Sequence, residues 1–165
     1  SPSGAHRDDT CVLVRDASRL AGGASSWPAL HALSQSLSEA LHGLCGFLAA
    51  ELGLVVTSRS DAVLGRFGPG ACGYGAHLDS CYDRGADSRV VSALLYLNEG
   101  WRDEDGGALR VWDDSHACWQ EAWPRADELV LLRSDRTLHK VMPIGECAPS
   151  MGRFALTMFL CGRYA

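Results

Sequence analysis

The tripeptide His77-Leu78-Asp79 places a histidine and a carboxylate two positions apart. Alternate side chains of an extended segment point to the same side, so His77 and Asp79 are expected to point together while Leu78 points back into a core. A later histidine, His139, lies in an apolar stretch that begins at Leu129 and that a neighbouring strand can present. Two histidines and one carboxylate are the ligand set of a mononuclear iron(II) centre with positions open for oxygen and a co-substrate. The pattern therefore predicts an oxygenase.

Three further residues are candidates for binding the co-substrate. A 2-oxo acid can chelate iron through two positions, and the far carboxylate of one such as 2-oxoglutarate then needs a buried cation. Arg153 suits this role because its planar guanidinium makes two parallel hydrogen bonds to a carboxylate. Thr157 lies four positions along the same predicted strand and Tyr96 near the end of another, so each can add a hydroxyl. The alternative for Arg153 is a structural salt bridge.

The remaining histidines and the most acidic loop lack such partners in the sequence. His6 is near a terminus, His31 and His42 lie in a helical pattern, and His116 lies in a polar stretch. We expect all four to be structural or solvated. The run Asp103-Glu104-Asp105 is expected to be a solvated turn rather than a metal site, because such charge runs are generally exposed.

Composition narrows the class of protein. The 165 residues suffice for one domain with its own core, and we assign residues 1–165 to a single catalytic domain. A net charge of -5 argues against nucleic-acid and anionic-membrane partners. Neither a transmembrane run nor a signal-peptide pattern is found. The seven cysteines are odd in number and form no Cys-x-x-Cys pair, which favours a reducing, cytoplasmic or nuclear location. Most of them, including Cys72 and Cys81 beside the metal motif, are expected to be buried core fillers.

One amphipathic helix is predicted before the metal motif. Leucines recur at alternating steps of three and four between Leu30 and Leu52, which is the stripe of a packing helix. Ser26 is a plausible cap, Pro28 falls in the first turn and Gly53 follows the end. The leucines of the stripe are Leu30, Leu33, Leu37, Leu41, Leu44, Leu48 and Leu52.

Short β-like runs punctuated by glycine make up most of the rest. They are residues 10–14, 54–58, 62–67, 74–78, 89–97, 108–112, 128–133, 138–143 and 153–161. Many short strands with one or two helices at one end predict an antiparallel barrel or sandwich. A jelly roll is favoured because its narrow interior lets side chains from different strands converge on one metal.

The order of the motifs resembles the prolyl 4-hydroxylase group of 2-oxoglutarate oxygenases, and within it the PHD-type, hypoxia-inducible-factor-like prolyl hydroxylases. The likeness covers roughly residues 7 to 165 and rests on a combination of motifs rather than on one. These motifs are His77-Leu78-Asp79, Leu95–Asn98 with Trp101, Gly106–Val111, Ser134–Pro143, Arg153 with Thr157, Arg7-Asp8-Asp9 and the leucine-rich helix.

The resemblance implies a mainly β fold, a double-stranded β-helix with an N-terminal packing helix. It also implies iron(II), 2-oxoglutarate as co-substrate, dependence on L-ascorbate, and trans-4-hydroxylation of a prolyl residue in a protein. Residue by residue, it matches His77, Asp79 and His139 to the iron ligands, Arg153 to the partner of the distal carboxylate, Tyr96 and Thr157 to further contacts with it, and Arg89 to a basic position near the substrate groove.

Two positions depart from the family pattern. A tyrosine that contacts 2-oxoglutarate in similar enzymes falls on Phe67, which removes a hydroxyl from the co-substrate site. The connection from Ile144 to Gly152 is longer than usual and makes the match of Arg153 less direct than that of the three ligands. Arg163 is the other nearby arginine and is too close to the end.

The expected partners are molecular oxygen and a flexible proline-containing protein segment, with the chain acting as a monomer. The substrate class stays open among a ubiquitin-ligase adaptor, a transcription factor and a translation factor, with oxygen sensing as the expected context. Two alternatives remain: another 2-oxoglutarate oxygenase, such as a nucleic-acid demethylase or a hydroxylase of a different residue, and a non-catalytic metal-binding scaffold. The acidic balance disfavours the demethylase, and the complete ligand set disfavours the scaffold.

Overall fold

The computed structural model describes residues 7–14, 28–80 and 88–165. These residues form one α-helix, a short 3-10 turn and antiparallel strands. The helix α1 is Pro28–Leu52, and the 3-10 turn is Asp103–Asp105. The strands are β1 (Thr10–Leu13), β2 (Leu54–Arg59), β3 (Val63–Phe67), β4 (Tyr74–His77), β5 (Ser88–Tyr96), β6 (Leu109–Asp113), β7 (Cys118–Ala122), β8 (Leu129–Arg133), β9 (His139–Val141) and β10 (Arg153–Tyr164).

The strands make two sheets. The larger sheet has the order β1-β3-β10-β5-β8, with β2 also paired to β10, and the smaller has the order β4-β9-β6-β7. Apart from the β6–β7 hairpin, neighbours in these orders come from distant parts of the chain, so each sheet is completed only when both halves of the sequence are in place. This is the two-sheet arrangement that the jelly-roll prediction describes, with the predicted packing helix before it.

The helix covers one face of the larger sheet. Leu37, Leu41 and Leu48 of α1 are buried in a core cluster with residues of β5 and β10. The helix ends where Gly53 adopts a φ of 61°, a left-handed conformation that glycine adopts without a Cβ clash. The predicted stripe is confirmed except at its end, where Leu52 is 40% exposed. The predicted cap Ser26 lies outside the described residues.

Strand β10 has two faces with different partners. Leu156, Met158 and Leu160 are buried in the cluster under α1. Arg153 and Thr157 are among the alternate residues that line a cavity on the opposite side of the sheet. This period of two means that the same strand closes the core and presents side chains toward the smaller sheet.

A second core cluster holds the two sheets together around that cavity. It includes Phe67 from the larger sheet, Leu109 and Val141 from the smaller sheet, and Trp101 and Ile144 from loops. The polar residues of the cavity lie against these apolar side chains.

Several sequence predictions differ from the structure. Strand β7 was not predicted, since it is short, carries no β-branched residue and has two exposed residues, Gln120 and Glu121. The run 138–143 is a strand only from His139 to Val141, because the chain then turns toward Ile144. None of the helices in the described residues is both long and apolar enough to cross a membrane.

The prediction that most cysteines fill the core was wrong. Within the described residues, Cys11, Cys72 and Cys147 are exposed and the other three are half-buried. Cys72 lies in a glycine-rich turn and Cys147 in the long connection before β10, and in both cases the turn context outweighs the side chain's preference for burial. Cys81 lies outside the described residues.

Candidate active site

The three predicted metal ligands come together at one edge of the smaller sheet. His77 ends β4 and pairs directly with His139, the first residue of β9. Asp79 follows two residues later, and its Oδ1 and Oδ2 atoms lie 3.4 Å from His77 Nε2 and 3.5 Å from His139 Nε2. One ligand atom from each residue falls within 4.8 Å of the others. This spacing allows all three to bind one ion.

Backbone carbonyls fix the tautomer of both histidines. His77 Nδ1 lies 2.8 Å from the Gly75 carbonyl oxygen, and His139 Nδ1 lies 2.9 Å from that of Thr137. A carbonyl can only accept, so each Nδ1 carries the hydrogen and each Nε2 presents its lone pair to the other ligands. Burial lowers the pKa of His139, which favours the neutral, metal-binding form of its ring.

Asp79 is held in its ionised form. Burial alone would raise the pKa of Asp79, but the nearby His77 and His139 rings and the Ser92 hydroxyl outweigh that effect and lower it. The Ser92 hydroxyl donates to Asp79 Oδ2 at 2.6 Å. Two imidazoles that can each offer Nε2 and one ionised carboxylate suit a divalent iron.

Arg153 is a buried cation without a carboxylate partner among the described residues. Its side chain is 2% exposed, its Nε donates to the Gly107 carbonyl oxygen at 2.8 Å, and its Nη2 has no hydrogen-bond partner. Its Cζ lies 4.9 Å from the Tyr96 ring centre and 5.6 Å from that of Phe67. Burial lowers the pKa of Arg153, because an uncompensated charge is costly in a dry environment. The structure thus gives no support to the structural salt bridge, and a carboxylate ligand would complete the site.

One cavity of about 500 Å³ joins the metal ligands and Arg153. Thr157 and Phe67 also line its wall, as the match to the co-substrate site requires. Tyr96 is fully buried next to Arg153, with the Arg153 Cζ 4.9 Å from its ring centre, and its hydroxyl, like Arg153 Nη2, has no hydrogen-bond partner among the described residues. Burial raises the pKa of Tyr96, and the neighbouring Arg153 offsets this only in part.

The long connection before Arg153 is fastened to the surrounding loops. The Ile144 N–H donates to the Ala71 carbonyl at 2.9 Å, and the Gly145 N–H to the Asp105 carbonyl at 2.8 Å. Ile144 is 3% exposed and belongs to the second core cluster. Asp105, predicted to be a solvated turn residue, is instead buried, and its carboxylate accepts the N–H of Arg102. The extra length is therefore absorbed outside the cavity.

Asn98 sets the start of β10. Its amide nitrogen donates to the Phe154 carbonyl at 3.0 Å, and its amide oxygen accepts the Phe154 N–H at 2.6 Å. Phe154 follows Arg153 directly, and Arg153 is paired with Phe67 across β3. Strand pairing and this asparagine determine where Arg153 lies, so the length of the preceding connection does not.

Two residues near the ligands were not predicted. Tyr74 stacks on the His77 ring with centroids 3.8 Å apart, and the Arg7 guanidinium lies 5.2 Å from the Tyr74 ring centre. Alternation along β4 would put Tyr74 and His77 on opposite faces, and they meet only where the register of the strand shifts, so the sequence gives no signal for Tyr74. Ser92, the donor to Asp79, has no sequence signal, because it reaches the carboxylate only through the pairing of distant strands.

Other predictions near the cavity had mixed outcomes. Leu78 does not point into a core: it is 41% exposed and lines the cavity, because β4 ends at His77 and none of the described residues forms a layer behind the next one. Arg89 is exposed and lines the same cavity, with its Cζ 3.8 Å from the Phe159 ring centre. The remaining histidines lie elsewhere: His31, His42 and His116 do not line this cavity, and His6 lies outside the described residues.

Comparison with known families decides the class. A family profile described as the 2OG-Fe(II) oxygenase superfamily matches residues 63–161, a span that contains the three ligands and Arg153. The chain belongs to this superfamily. Enzymes of the 2OG-Fe(II) oxygenase superfamily use iron(II) and 2-oxoglutarate, and the converging Nε2 atoms and the unpaired Arg153 Nη2 fit those two groups.

The relatives narrow the likeness within the 2OG-Fe(II) oxygenase superfamily. A hypoxia-inducible factor prolyl hydroxylase of Caenorhabditis elegans is 33% identical over 106 residues, which are 63% of this chain and 14% of that protein. Human Egl nine homolog 1 is 30% identical over 90 residues, 53% of this chain and 20% of that protein. The chain thus spans well under a third of the length of these curated relatives.

Two solved structures of the same superfamily confirm the double-stranded β-helix. A Pseudomonas putida prolyl-4-hydroxylase has a TM-score of 0.67 at 26% identity, over 94% of this chain and 71% of that one. A Trichoplax adhaerens prolyl hydroxylase, solved with a hypoxia inducible factor oxygen degradation domain peptide fragment, has a TM-score of 0.72 at 26% identity, over 94% of this chain and 64% of that one. The resemblance to prolyl hydroxylases seen in the sequence is confirmed.

Proposed function

We propose that this chain is the catalytic domain of a protein prolyl 4-hydroxylase that uses iron(II) and 2-oxoglutarate. The observation that carries the proposal is one cavity holding both the converging His77–Asp79–His139 set and the unpaired buried Arg153. The likeness to prolyl hydroxylases among relatives and solved structures supports the choice of proline.

The chain's residues divide the work of holding the two groups. When bound, iron(II) and 2-oxoglutarate would supply an oxidation in which one oxygen atom enters the substrate and the other enters succinate, with loss of carbon dioxide. His77 and His139 hold the metal through Nε2 and Asp79 through its carboxylate. Arg153 Nη2 binds the distal carboxylate, and Thr157 on the same face of β10 adds a hydroxyl.

Other side chains limit the access of water to the reaction and border the space for a substrate. Leu94, Leu109 and Val141 give the cavity an apolar wall that limits water around the charged groups. At the mouth, exposed Leu78 and the Arg89 side chain over Phe159 border the space left for a substrate. A flexible proline-containing protein segment fits this open end.

Further parts of the proposal come from the sequence. The reducing environment that its cysteine pattern favours supports a cytoplasmic or nuclear location, and the acidic charge supports a protein rather than a nucleic acid as substrate. L-ascorbate, as the reductant that maintains iron(II), belongs to the same proposal. A monomeric active unit, as expected from the sequence, belongs to the same proposal.

The test is incubation of the purified protein with iron(II), 2-oxoglutarate, ascorbate and candidate proteins from the source cell. We expect succinate formation and a mass gain of one oxygen atom localised to proline by fragmentation. A gain on another residue type or on a nucleic acid base would replace prolyl hydroxylation with another oxygenase activity. Metal binding without any oxidation product would favour the scaffold alternative.

A further inference from the structure

A chain of two buried hydroxyls leads away from the Asp79 carboxylate. Ser92 Oγ lies 2.6 Å from Asp79 Oδ2, and Ser134 Oγ lies 2.8 Å from Ser92 Oγ. Both serines are completely buried. Ser92 comes from β5 of the larger sheet, whereas Asp79 follows β4 of the smaller one. These hydrogen bonds therefore connect the two sheets.

The direction of these hydrogen bonds is fixed by chemistry. An ionised carboxylate can only accept, so the single hydroxyl hydrogen of Ser92 is donated to Asp79 Oδ2. The Ser92 oxygen is then left as an acceptor, and Ser134 must be the donor to it. Accepting one hydrogen bond strengthens the one that Ser92 donates.

Ser134 also begins a turn that contacts both ligand-bearing segments. Its carbonyl accepts the N–H of Ser80, the residue after Asp79, at 3.0 Å. The last residue of the same turn, Thr137, provides the carbonyl that orients His139. One turn, residues 134–137, therefore holds the carboxylate ligand and one histidine ligand in register.

We propose that Ser92 and Ser134 are positioning residues that set how Asp79 binds the metal. Oδ1 lies 3.4 Å from His77 Nε2 and Oδ2 lies 3.5 Å from His139 Nε2, so both oxygens face the histidines. Because Ser92 holds Oδ2 and keeps the carboxylate in one rotation, Oδ1, the oxygen without that hydrogen bond, would bind the ion. Ser134 acts on the metal only through Ser92. The inference rests on the metal site of the proposed function and not on its substrate.

Mn(II) affinity tests the proposal without turnover. Binding is followed by loss of the free Mn(II) electron paramagnetic resonance signal, with thermal unfolding of the metal-free protein as the measure of folding. We expect Ser92→Ala to weaken Mn(II) binding about tenfold or more, the usual size for loss of an outer partner of a ligand. We expect Ser134→Ala to weaken it about threefold, as for one neutral hydrogen bond.

A double-mutant cycle distinguishes an effect of Ser134 that is transmitted through Ser92 from two independent effects of the two serines on Mn(II) affinity. Because Ser134 acts through Ser92, Ser134→Ala should cause no further loss of Mn(II) affinity in a protein that already carries Ser92→Ala. If Ser134→Ala weakens Mn(II) binding equally in the native protein and in Ser92→Ala, Ser134 does not act through Ser92 and the proposal is overturned. If Ser92→Ala does not fold, Ser134→Ala alone still decides: unchanged Mn(II) affinity in that variant contradicts the proposal.

Ser115→Ala is the matched control, since it removes another serine-to-aspartate hydrogen bond, to Asp113, in the exposed β6–β7 turn. Its Mn(II) affinity should equal that of the native protein. Infrared difference spectra add a structural readout: the separation of the carboxylate stretches on metal binding should narrow in Ser92→Ala as Oδ2 becomes free to bind. An unchanged separation overturns the one-oxygen assignment, and a native protein that binds no Mn(II) overturns the proposed metal site itself.

Discussion

Arg153 donates its Nε hydrogen to the carbonyl oxygen of Gly107, and this bond determines which side of the guanidinium stays free. Gly107 has a φ of 71°, and a Cβ at this position would meet Arg153 Cδ at 2.8 Å and Ile144 Cδ1 at 2.6 Å. These distances are so short that the Gly107 backbone and the Arg153 side chain must move together.

Gly107→Ala should therefore disturb co-substrate binding more than metal binding. The new methyl group displaces Arg153, so we expect the apparent KM for 2-oxoglutarate to rise about tenfold, for a shift of one charged hydrogen bond. Succinate formation across a 2-oxoglutarate titration measures it. Gly46→Ala is a control, because a Cβ at that helical position meets nothing within 4 Å. Equal KM values for the two variants would contradict the role of Gly107.

Arg153→Ala should raise the apparent 2-oxoglutarate requirement on the order of 100-fold, because the distal carboxylate then lies unpaired in a buried site. Arg153→Lys should recover only part of this loss, since an ammonium lacks the planar fork. The same titration is the measurement, with Arg163→Ala, an exposed change near the end of the same strand, as the control. A normal requirement in Arg153→Ala would move the assignment to another cation.

His77→Ala and Asp79→Ala should each abolish succinate formation and metal binding together, because three protein ligands leave no spare to replace a lost one. Mn(II) binding and coupled turnover measure the two losses. His116→Ala is the matched control: His116 also hydrogen-bonds an aspartate, Asp113, but in an exposed turn. Retained turnover in both ligand variants would mean that the site has been misplaced.

Phe67→Tyr should tighten 2-oxoglutarate binding. Phe67 lines the cavity close to Arg153, so a hydroxyl added there gains a hydrogen bond, about threefold to tenfold in apparent KM. Phe159→Tyr, elsewhere on the cavity wall, is the control for adding a hydroxyl as such. A raised KM in Phe67→Tyr would show that the phenylalanine is needed for space.

The thiol of Cys11, which also lines the cavity, should be slow to alkylate near neutral pH. Although Cys11 as a residue is exposed, its sulfur is partly buried where it faces the cavity; this burial and the hydrogen bond to Asp9 raise the pKa of Cys11 to about 11, so the reactive thiolate forms only as the pH approaches that value. Mass spectrometry of iodoacetamide labelling against pH measures this, with exposed Cys147 as an internal comparison. Asp9→Ala should move the labelling curve to lower pH, and an unshifted curve would contradict the assigned hydrogen bond.

The sequence predicts the parts of the site that depend on local geometry. His77 and Asp79 share a side because alternation in an extended segment is local, and the Arg153–Thr157 pair follows from the same rule. The leucine stripe of α1 is equally local. Leu78 shows the limit: alternation gives its direction but not whether a second layer lies behind it.

Contacts made by strand pairing could not be predicted in the same way. Ser92 contacts Asp79, and Asn98 hydrogen-bonds both backbone groups of Phe154, only because strands that are distant in the sequence pair in one particular register. Nothing in the residues around Ser92 distinguishes it from Ser88. Tyr96 was assigned to the co-substrate from its position in a motif, and its place beside Arg153 follows only from packing.

The connection from Ile144 to Gly152 has a practical consequence for engineering. Its first residues are held by backbone hydrogen bonds and by the buried Ile144, while the side chain of Met151, two residues before Arg153, is 73% exposed. Strand pairing and Asn98, rather than this loop, fix the arginine that follows. The exposed side chain at position 151 is therefore a suitable attachment point for a dye or affinity handle, which would report on the neighbouring cavity without entering it.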